Sequence, residues 1–217
     1  MKTFLRMVVL GVAMAGMTGC NSLSGDALQT MKLAISGPES PITVDKVHAV
    51  NGPALAVRLG AAEAMLVSNG TGTGLVEWYG NTEMLLTQHG RVTRTAGLPA
   101  DIIAPLVAGD PFNAGLLNVA DGTEVVRLVD YPAQYQTDLR QHARYKRGPV
   151  ETIEYMGQRH QLQRVDEHIR MPELGFKATN HYWLEPDTGL VRRSVQHFAP
   201  DLPPLRLTLL KTAGGQP

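Results

Sequence analysis

The chain has 217 residues, 43% of them hydrophobic, which is enough for one domain with a complete apolar core. Its 20 basic and 20 acidic side chains give a net charge of zero. A protein without net positive charge lacks the long-range field that attracts nucleic acids, so we expect no nucleic-acid partner.

The amino-terminal segment has the composition of an export signal. Lys2 and Arg6 supply a basic start, and the apolar residues 7–17 that follow are too few to span a bilayer stably. Residues 17–20, Met-Thr-Gly-Cys, resemble the lipobox of bacterial lipoproteins, in which a small residue precedes a cysteine. This resemblance implies cleavage after residue 19 and attachment of lipid to Cys20.

Cys20 is the only cysteine of the chain, so it has no disulfide partner, and lipidation explains its presence. Each buried acyl methylene contributes about 0.8 kcal/mol, so two or more acyl chains hold a protein firmly on a membrane. The following residue, Asn21, is not the aspartate that usually retains lipoproteins in the inner membrane. The sorting rule therefore predicts the outer membrane, with the protein body facing the periplasm.

We predict three regions, namely a signal peptide over 1–19, a lipidated tether over 20–25 and a single mainly β domain over 26–217. Cleavage leaves 198 residues with a formal net charge of −2 and no second apolar stretch of transmembrane length. In residues 26–35, apolar side chains recur at helical spacing after the capping residue Asp26, so this segment is predicted as a helix.

Beyond residue 53, apolar residues alternate with polar ones, which indicates β-strands. The predicted strands are 53–59, 64–68, 75–79, 83–87, 91–95, 124–131, 138–146, 150–156, 161–171, 178–184, 190–198 and 205–210. Gly80-Asn81, His89-Gly90 and residues 187–189 are predicted turns. Residues 98–120 interrupt the pattern, and 98–106 are predicted as a short helix over one end of the sheet.

Short strands with turns every eight to twelve residues are typical of antiparallel barrels and sandwiches. We therefore predict a mainly β fold, with an antiparallel barrel-like or half-barrel sheet and a short N-terminal helix. The pattern itself leaves the choice between a barrel and a sandwich open.

The sequence carries no familiar catalytic or metal-binding motif. The glycine-rich residues 70–74 lack the Gly-Lys-Ser/Thr ending of a phosphate loop and precede no helical pattern, so a hairpin loop is predicted. There is no Gly-x-Ser-x-Gly elbow, and the seven histidines are scattered. The acidic pairs Asp166-Glu167 and Glu151 with Glu154 are interpreted as solvated strand faces. We predict no catalytic residue, metal or cofactor.

Four basic residues line one face of a predicted strand, because Arg140, His142, Arg144 and Lys146 alternate with other residues. One interpretation is a solvated face paired with acids on adjacent strands. The other is a site for an anionic polysaccharide or a lipid phosphate, since arginine forks suit phosphate and carboxylate groups.

Aromatic residues offer a second set of candidate contacts. Trp78 and Trp183, each beside a tyrosine, have ring faces that can stack on sugars. Aromatic residues on strands also form protein cores, so both roles are open for these tryptophans.

Several segments together resemble a known family. Glu77-Trp78 is followed by residues 89–99, His-Gly-Arg-Val-Thr-Arg-Thr-Ala-Gly-Leu-Pro, and residues 182–196 read Tyr-Trp-Leu-Glu-Pro-Asp-Thr-Gly-Leu-Val-Arg-Arg-Ser-Val-Gln. With Pro203-Pro204 and Leu210-Lys211, they resemble the YjbF/GfcB (YmcC-like) lipoproteins of group 4 capsule and exopolysaccharide operons. The resemblance covers nearly all of the chain after the signal, and Gly-Arg-x-x-Arg-Thr-x-Gly-Leu-Pro is its most specific part.

This resemblance implies a mainly β, barrel-like fold, a periplasm-facing outer-membrane lipoprotein and a part in assembling or secreting capsule, and it carries over no catalytic residue. Gly90 and Gly97 are predicted turn positions. Arg91 and Arg94 fall on opposite strand faces, so we expect one of them to be buried and paired. The candidate contacts for a glycan or another anionic ligand are Trp78, Arg91, Arg94, Arg140, Arg144 and Trp183.

Three functions follow as hypotheses. The leading one is a non-enzymatic accessory lipoprotein of polysaccharide export, which binds polysaccharide or export proteins at the inner leaflet of the outer membrane. The second is a lipid or lipoprotein carrier, which predicts an apolar cavity. The third is a polysaccharide-modifying hydrolase, which needs two carboxylates about 5–10 Å apart across a cleft.

Overall fold

A computed structural model describes residues 42–70 and 74–213 of the chain. The predicted signal peptide, Cys20 and the helix predicted over 26–35 lie outside the described residues. The first described element is a short helix, α1 (Val44–Ala49). It begins after Thr43, whose side-chain oxygen accepts a hydrogen bond from the Lys46 amide at 3.4 Å, as an N-cap residue does.

In the described part of the chain, eleven strands form one antiparallel sheet, which confirms the mainly β prediction. The strands are β1 (Ala54–Leu59), β2 (Ala62–Val67), β3 (Leu75–Tyr79), β4 (Met84–Gln88), β5 (Arg91–Ala96), β6 (Glu124–Tyr131), β7 (Gln136–Tyr155), β8 (Gln158–Met171), β9 (Phe176–Leu184), β10 (Val191–Gln196) and β11 (Leu205–Lys211). Their order across the sheet is β5-β4-β3-β2-β1-β11-β10-β9-β8-β7-β6. Two meanders therefore meet where the first strand pairs with the last.

The sheet curls into a half-barrel, and a short extended segment links its two edge strands. On the β5 side, the Thr95 amide donates to the Ile102 carbonyl at 3.1 Å and the Ala104 amide to the Thr93 carbonyl at 2.7 Å. On the β6 side, Ile103 and Asp130 exchange backbone hydrogen bonds of 3.0 and 2.9 Å. The edge strands are thus bridged at Ile103. The fold is therefore a single curled sheet and not a sandwich of two sheets.

The helix predicted over 98–106 is wrong, because local side-chain bonds hold this segment in another conformation. The Asp101 carboxylate accepts bonds of 3.0 Å from the amides of Gly97 and Leu98 and from the Thr95 hydroxyl. Aspartate bonded to nearby amides competes with helix formation in this way. The helical turns lie later, as α2 (Pro111–Ala114) and a 3₁₀ turn over Leu116–Asn118.

The two strands predicted over 138–146 and 150–156 are one long strand, β7. Its register against β8 shifts between Arg147 and Val150, so Gly148 and Pro149 lie in a β-bulge. Proline has no amide hydrogen for the ladder and is tolerated at bulges, so a strand can continue through a dipeptide that resembles a strand end.

The inner face of the half-barrel carries the main apolar core. Its buried members include Leu55, Leu66, Trp78, Leu85 and Leu205. A second buried cluster, around Phe112, Tyr145 and Tyr182, packs where residues 112–116 lie over β7, β8 and β9. Side chains that alternate with these inward residues point to the outer face, and most of them are polar or charged.

Candidate functional site

A cleft of about 870 Å³ lies on the inner side of the half-barrel. One wall consists of apolar side chains from β1, β3 and β11, among them Leu55, Val76 and Leu209. The opposite wall is formed by residues 112–118 and by the turn between β9 and β10. Its volume lies in the range of sites that bind small molecules, about 300–1,000 Å³.

The rim of the cleft carries an ion pair between Glu185 and Arg192. The Arg192 Nε donates to Glu185 at 2.9 Å, its Nη2 donates to the same oxygen, and the Thr188 hydroxyl donates to the second oxygen at 2.8 Å. Burial raises the pKa of Glu185, but the hydrogen bonds from Arg192 and Thr188 outweigh it and lower that pKa below its ordinary value. Glu185 is therefore ionised at neutral pH.

Below the cleft lies a buried ionic cluster, formed by Arg91, Asp110, Arg127 and Glu167. Arg127 holds Asp110 through two bonds, Nε–Oδ2 at 2.6 Å and Nη2–Oδ1 at 3.1 Å, and Glu167 through one, Nη1–Oε1 at 2.7 Å. Arg91 Nη1 lies 3.2 Å from the other Glu167 oxygen. No side chain of the four is more than 4% exposed, and the two positive charges balance the two negative ones.

Three neutral side chains complete the hydrogen bonding of Glu167. Tyr145 donates to it at 2.8 Å, Tyr182 at 3.0 Å and Asn180 at 2.8 Å. Burial raises the pKa of Glu167, but Arg91 and Arg127 outweigh it and hold that pKa at about 2. For Tyr145 and Tyr182, burial and then the charge of Glu167 raise the pKa, so both hydroxyls stay protonated and donate.

Phe112 separates the ionic cluster from the cleft. Its ring centroid lies 5.8 Å from the guanidinium carbon of Arg127 and 6.0 Å from that of Arg91. The same ring meets Tyr182 edge-to-face at 5.0 Å and lines the cleft. Asp110 accepts a bond from the Phe112 amide at 3.2 Å, so the cluster also fixes α2 across the inner face.

Two of the predicted contacts are buried on the inner face. Trp78 is 4% exposed, donates its indole hydrogen to Thr87 at 2.8 Å and forms part of the cleft wall. Arg91 belongs to the ionic cluster, whereas Arg94 is exposed on β5, which confirms that one of the two arginines is buried and paired. With 4% of its side chain exposed and its guanidinium bonded to Glu167 and Gln141, Arg91 is poorly placed to contact an external polymer.

Arg140, Arg144 and Trp183 lie on the outer face, so the structure separates the two predicted aromatic contacts. Trp183 is half-buried, donates to Glu151 at 2.7 Å and has the Arg193 guanidinium 5.6 Å from its ring centroid. Because Trp78 and Trp183 point to opposite sides of one sheet, they cannot stack on the same sugar residue.

Sequence reasoning missed three members of the ionic cluster, Asp110, Arg127 and Glu167. The interpretation of Asp166-Glu167 as a solvated face is wrong, since Asp166 is 8% exposed and Glu167 is fully buried. A signal was present at Arg127, which stands between two valines on the inward face of β6. A charged residue at an apolar position of the alternation indicates a buried ion pair.

Within residues 42–70 and 74–213, no group of three or more histidine, cysteine or acidic side chains is placed to hold a metal ion. No helix in the same residues is long and apolar enough to cross a membrane.

The family model for the group 4 capsule polysaccharide lipoprotein GfcB/YjbF matches residues 27–210. The chain belongs to the YjbF family. The match includes all or nearly all of each described strand and part of the chain that precedes them, in agreement with the resemblance of residues 89–99 and 182–196. Comparison with curated proteins gave no match.

The YjbF-family chain also matches a solved structure, the crystal structure of the hypothetical lipoprotein YmcC from Escherichia coli K12. The TM-score is 0.69, and the match covers 86% of this chain and 96% of YmcC. The two sequences are 19% identical, so the likeness establishes a common fold.

Proposed function

We propose that this YjbF-family chain is an outer-membrane lipoprotein, facing the periplasm, that acts as a non-enzymatic accessory factor in assembling or secreting capsule or exopolysaccharide. The observation that carries the proposal is the match of the group 4 capsule lipoprotein family to residues 27–210. The export signal and the lone Cys20 in a lipobox-like sequence support the lipid anchor. Asn21 supports the outer membrane as the destination.

The ionised state of two glutamates, Glu185 and Glu167, supports a non-enzymatic role. Hydrolysis of a glycoside uses a carboxyl group whose raised pKa keeps its proton for the leaving group. Glu185 on the rim and Glu167 in the ionic cluster both have lowered pKa values and are held by arginine. These two carboxylates are better suited to holding structure than to donating protons.

The accessory role is tested by deleting the gene and restoring it with the wild type or with Cys20→Ala. We expect deletion to lower cell-bound and secreted polysaccharide, the wild type to restore it, and Cys20→Ala to restore little while losing sedimentation with membranes. Unchanged polysaccharide in the deletion strain, under capsule-inducing conditions, would refute the proposed role. Membrane sedimentation of the Cys20→Ala protein would refute the lipid anchor.

The cleft favours a second candidate function, a carrier of lipid or of lipoprotein acyl chains. Its size and the apolar wall of Leu55, Val76 and Leu209 suit an alkyl chain. Burial of each methylene in such a site contributes about 0.8 kcal/mol.

The carrier function is tested with cis-parinaric acid, a fluorescent fatty acid. We expect the wild type to bind it, Leu209→Arg in the cleft to abolish binding, and the control Leu128→Arg on the outer face to retain it. Absence of binding by the wild type, or equal binding by both variants, would exclude the cleft as an acyl site.

A further inference from the structure

The outer surface of β7, β8 and β9 concentrates positive charge. We call this surface the basic face and define it by Arg140, His142, Arg144, His168, Arg170 and Lys177. Five of these side chains are exposed, and His142 is half-exposed. The alternation that places them outward also places Gln141, Ala143 and Tyr145 in the interior.

The strand register sets two positive charges, those of Arg170 and Lys177, directly opposite one another on the basic face. Arg170 pairs with His142 on one side and with Lys177 on the other, and Arg144 pairs with His168. Residues in directly opposed positions lie about 5 Å apart, and like charges there destabilise a sheet. The fold therefore retains an arrangement that costs free energy in the isolated chain.

Acidic side chains of the described residues neutralise little of this charge. Glu173 lies 3.1 Å from Arg140, and Glu124 lies 3.9 Å from Arg144. Both arginines are 67% exposed, so these pairs contribute about 1 kcal/mol at most. In the described part of the chain, no carboxylate lies within 4.0 Å of Arg170 or Lys177.

Two arginines and two histidines of the basic face surround a depression. A shallow pocket of about 380 Å³ is bordered by His142, Arg144, His168 and Arg170, and by one carboxylate, Glu124. Val126 of the edge strand β6 lies at its margin and is 45% exposed. The pocket thus combines two arginines, whose charge exceeds that of the single carboxylate, with an apolar margin, which suits a ligand that carries both anionic groups and C–H surfaces.

We propose that the basic face binds an acidic polysaccharide through its carboxylate or phosphate groups. Arginine offers forked donors for both groups, and basic side chains on neighbouring strands recur about every 5 Å, so a linear polymer meets several in succession. The face is the convex side of a curled sheet, which a flat bilayer touches only along a narrow crest. This proposal rests on the proposed function, which identifies the polymer as a capsule-type glycan.

The test uses the full mature chain, residues 20–217 with Cys20→Ala, and alginate, a linear polyuronate, as the anionic probe. Arg170→Gln with Lys177→Gln removes two charges from the basic face. The matched control, Arg58→Gln with Arg159→Gln, removes two exposed charges elsewhere. Calorimetry measures alginate binding, neutral dextran serves as the uncharged polymer, and phosphatidylglycerol vesicles serve as the anionic membrane.

We expect the wild type and the control to bind alginate, more weakly as salt is raised, and to leave dextran unbound. The basic-face double variant should bind about tenfold more weakly or worse. Its melting temperature should be equal to or above that of the wild type, because a like-charge contact is removed. The melting temperature therefore separates a loss of binding caused by the removed charges from one caused by unfolding.

Three outcomes would overturn the inference: no binding of alginate by the wild type, equal loss in both double variants, or preferential binding to the vesicles with the same residue dependence. The last result assigns the face to a membrane. Failure of the inference is distinguishable from failure of the accessory role. Loss of polysaccharide on gene deletion without alginate binding leaves the role standing, and alginate binding without a deletion phenotype leaves the binding face standing.

Discussion

Five donors surround the Glu167 carboxylate, and none of its surface is exposed. Such a group is tolerable in a protein interior only while its partners stay in place, because an unpaired buried charge costs several kcal/mol. Glu167 receives bonds from β5, β6, β7 and β9 while it stands on β8. A single side chain therefore ties together strands from both edges of the sheet.

We expect Glu167→Gln to destabilise the protein by about 3–5 kcal/mol, since it leaves Arg91 and Arg127 with too little negative charge. Urea unfolding followed by circular dichroism measures the free energy of unfolding. The control Glu154→Gln removes an exposed carboxylate whose arginine partner is 3.9 Å away, and we expect a change below about 1 kcal/mol. Equal effects of the two substitutions would contradict a structural role for the ionic cluster.

At the level of single residues, the sequence could predict what depends on neighbours along the chain. Alternation along the strands predicted that Arg140 and Arg144 share one face and that Arg91 and Arg94 lie on opposite faces of one strand, and the structure agrees. The partners of Arg91 were beyond such reasoning, because Glu167 lies 76 residues away and Gln141 lies 50 away. Their meeting depends on how the whole sheet curls.

Among the elements, the turn between β4 and β5 shows why glycine stands in the family string. His89 and Gly90 have φ angles of 51° and 84°, as a two-residue hairpin turn with two left-handed positions requires. A Cβ atom at Gly90 would also collide with the side chain of Val191. Gly157, in the turn between β7 and β8, has a φ of 72° but open space around it.

We expect Gly90→Ala to cost clearly more stability than Gly157→Ala. Both variants carry the strain of a left-handed alanine, about 1 kcal/mol, but only Gly90→Ala must also displace Val191. Thermal melts of the two single variants give the comparison. Equal shifts in melting temperature would contradict this prediction and would show that Val191 of β10 can move away at little cost in stability.

The backbone bridge at Ile103 leads to a second prediction, which concerns the edge strands β5 and β6. Ile103→Pro removes the amide that donates to the Asp130 carbonyl at 3.0 Å, and so opens the link between β5 and β6. We expect faster amide hydrogen exchange in both edge strands and a lower melting temperature. Proline at the exposed turn residue Ala108 is the control, and exchange in β5 and β6 should stay slow there.

The positions of the strands were largely predictable, because alternation is a local property. The predicted elements were wrong where the same local sequence is compatible with two backbone conformations. Gly148-Pro149 resembles a strand end but forms a bulge in β7, and residues 98–106 resemble a helix until Asp101 binds the preceding amides. The curl of the sheet, which creates the cleft, depends on pairing between β1 and β11 across the whole chain.

For the molecule as a whole, Glu167 predicts sensitivity to acid. Its pKa lies at about 2 in the folded protein against an ordinary 4.5, so the carboxylate stabilises the fold fully above pH 4.5. That contribution, on the order of 3 kcal/mol, is lost as the pH falls from 4.5 towards 2. We expect the wild type to lose more stability over this interval than Glu167→Gln does. Parallel pH profiles for the two proteins would contradict the assignment.

The bridge at Ile103 also limits how other proteins can dock. Many proteins associate by strand addition, in which an incoming segment continues a sheet at an open edge. Here the backbone groups that such a segment would need, at the point where β5 and β6 approach each other, are occupied from within the same chain. A protein partner that engages this region must therefore recognise side chains on the curved exterior.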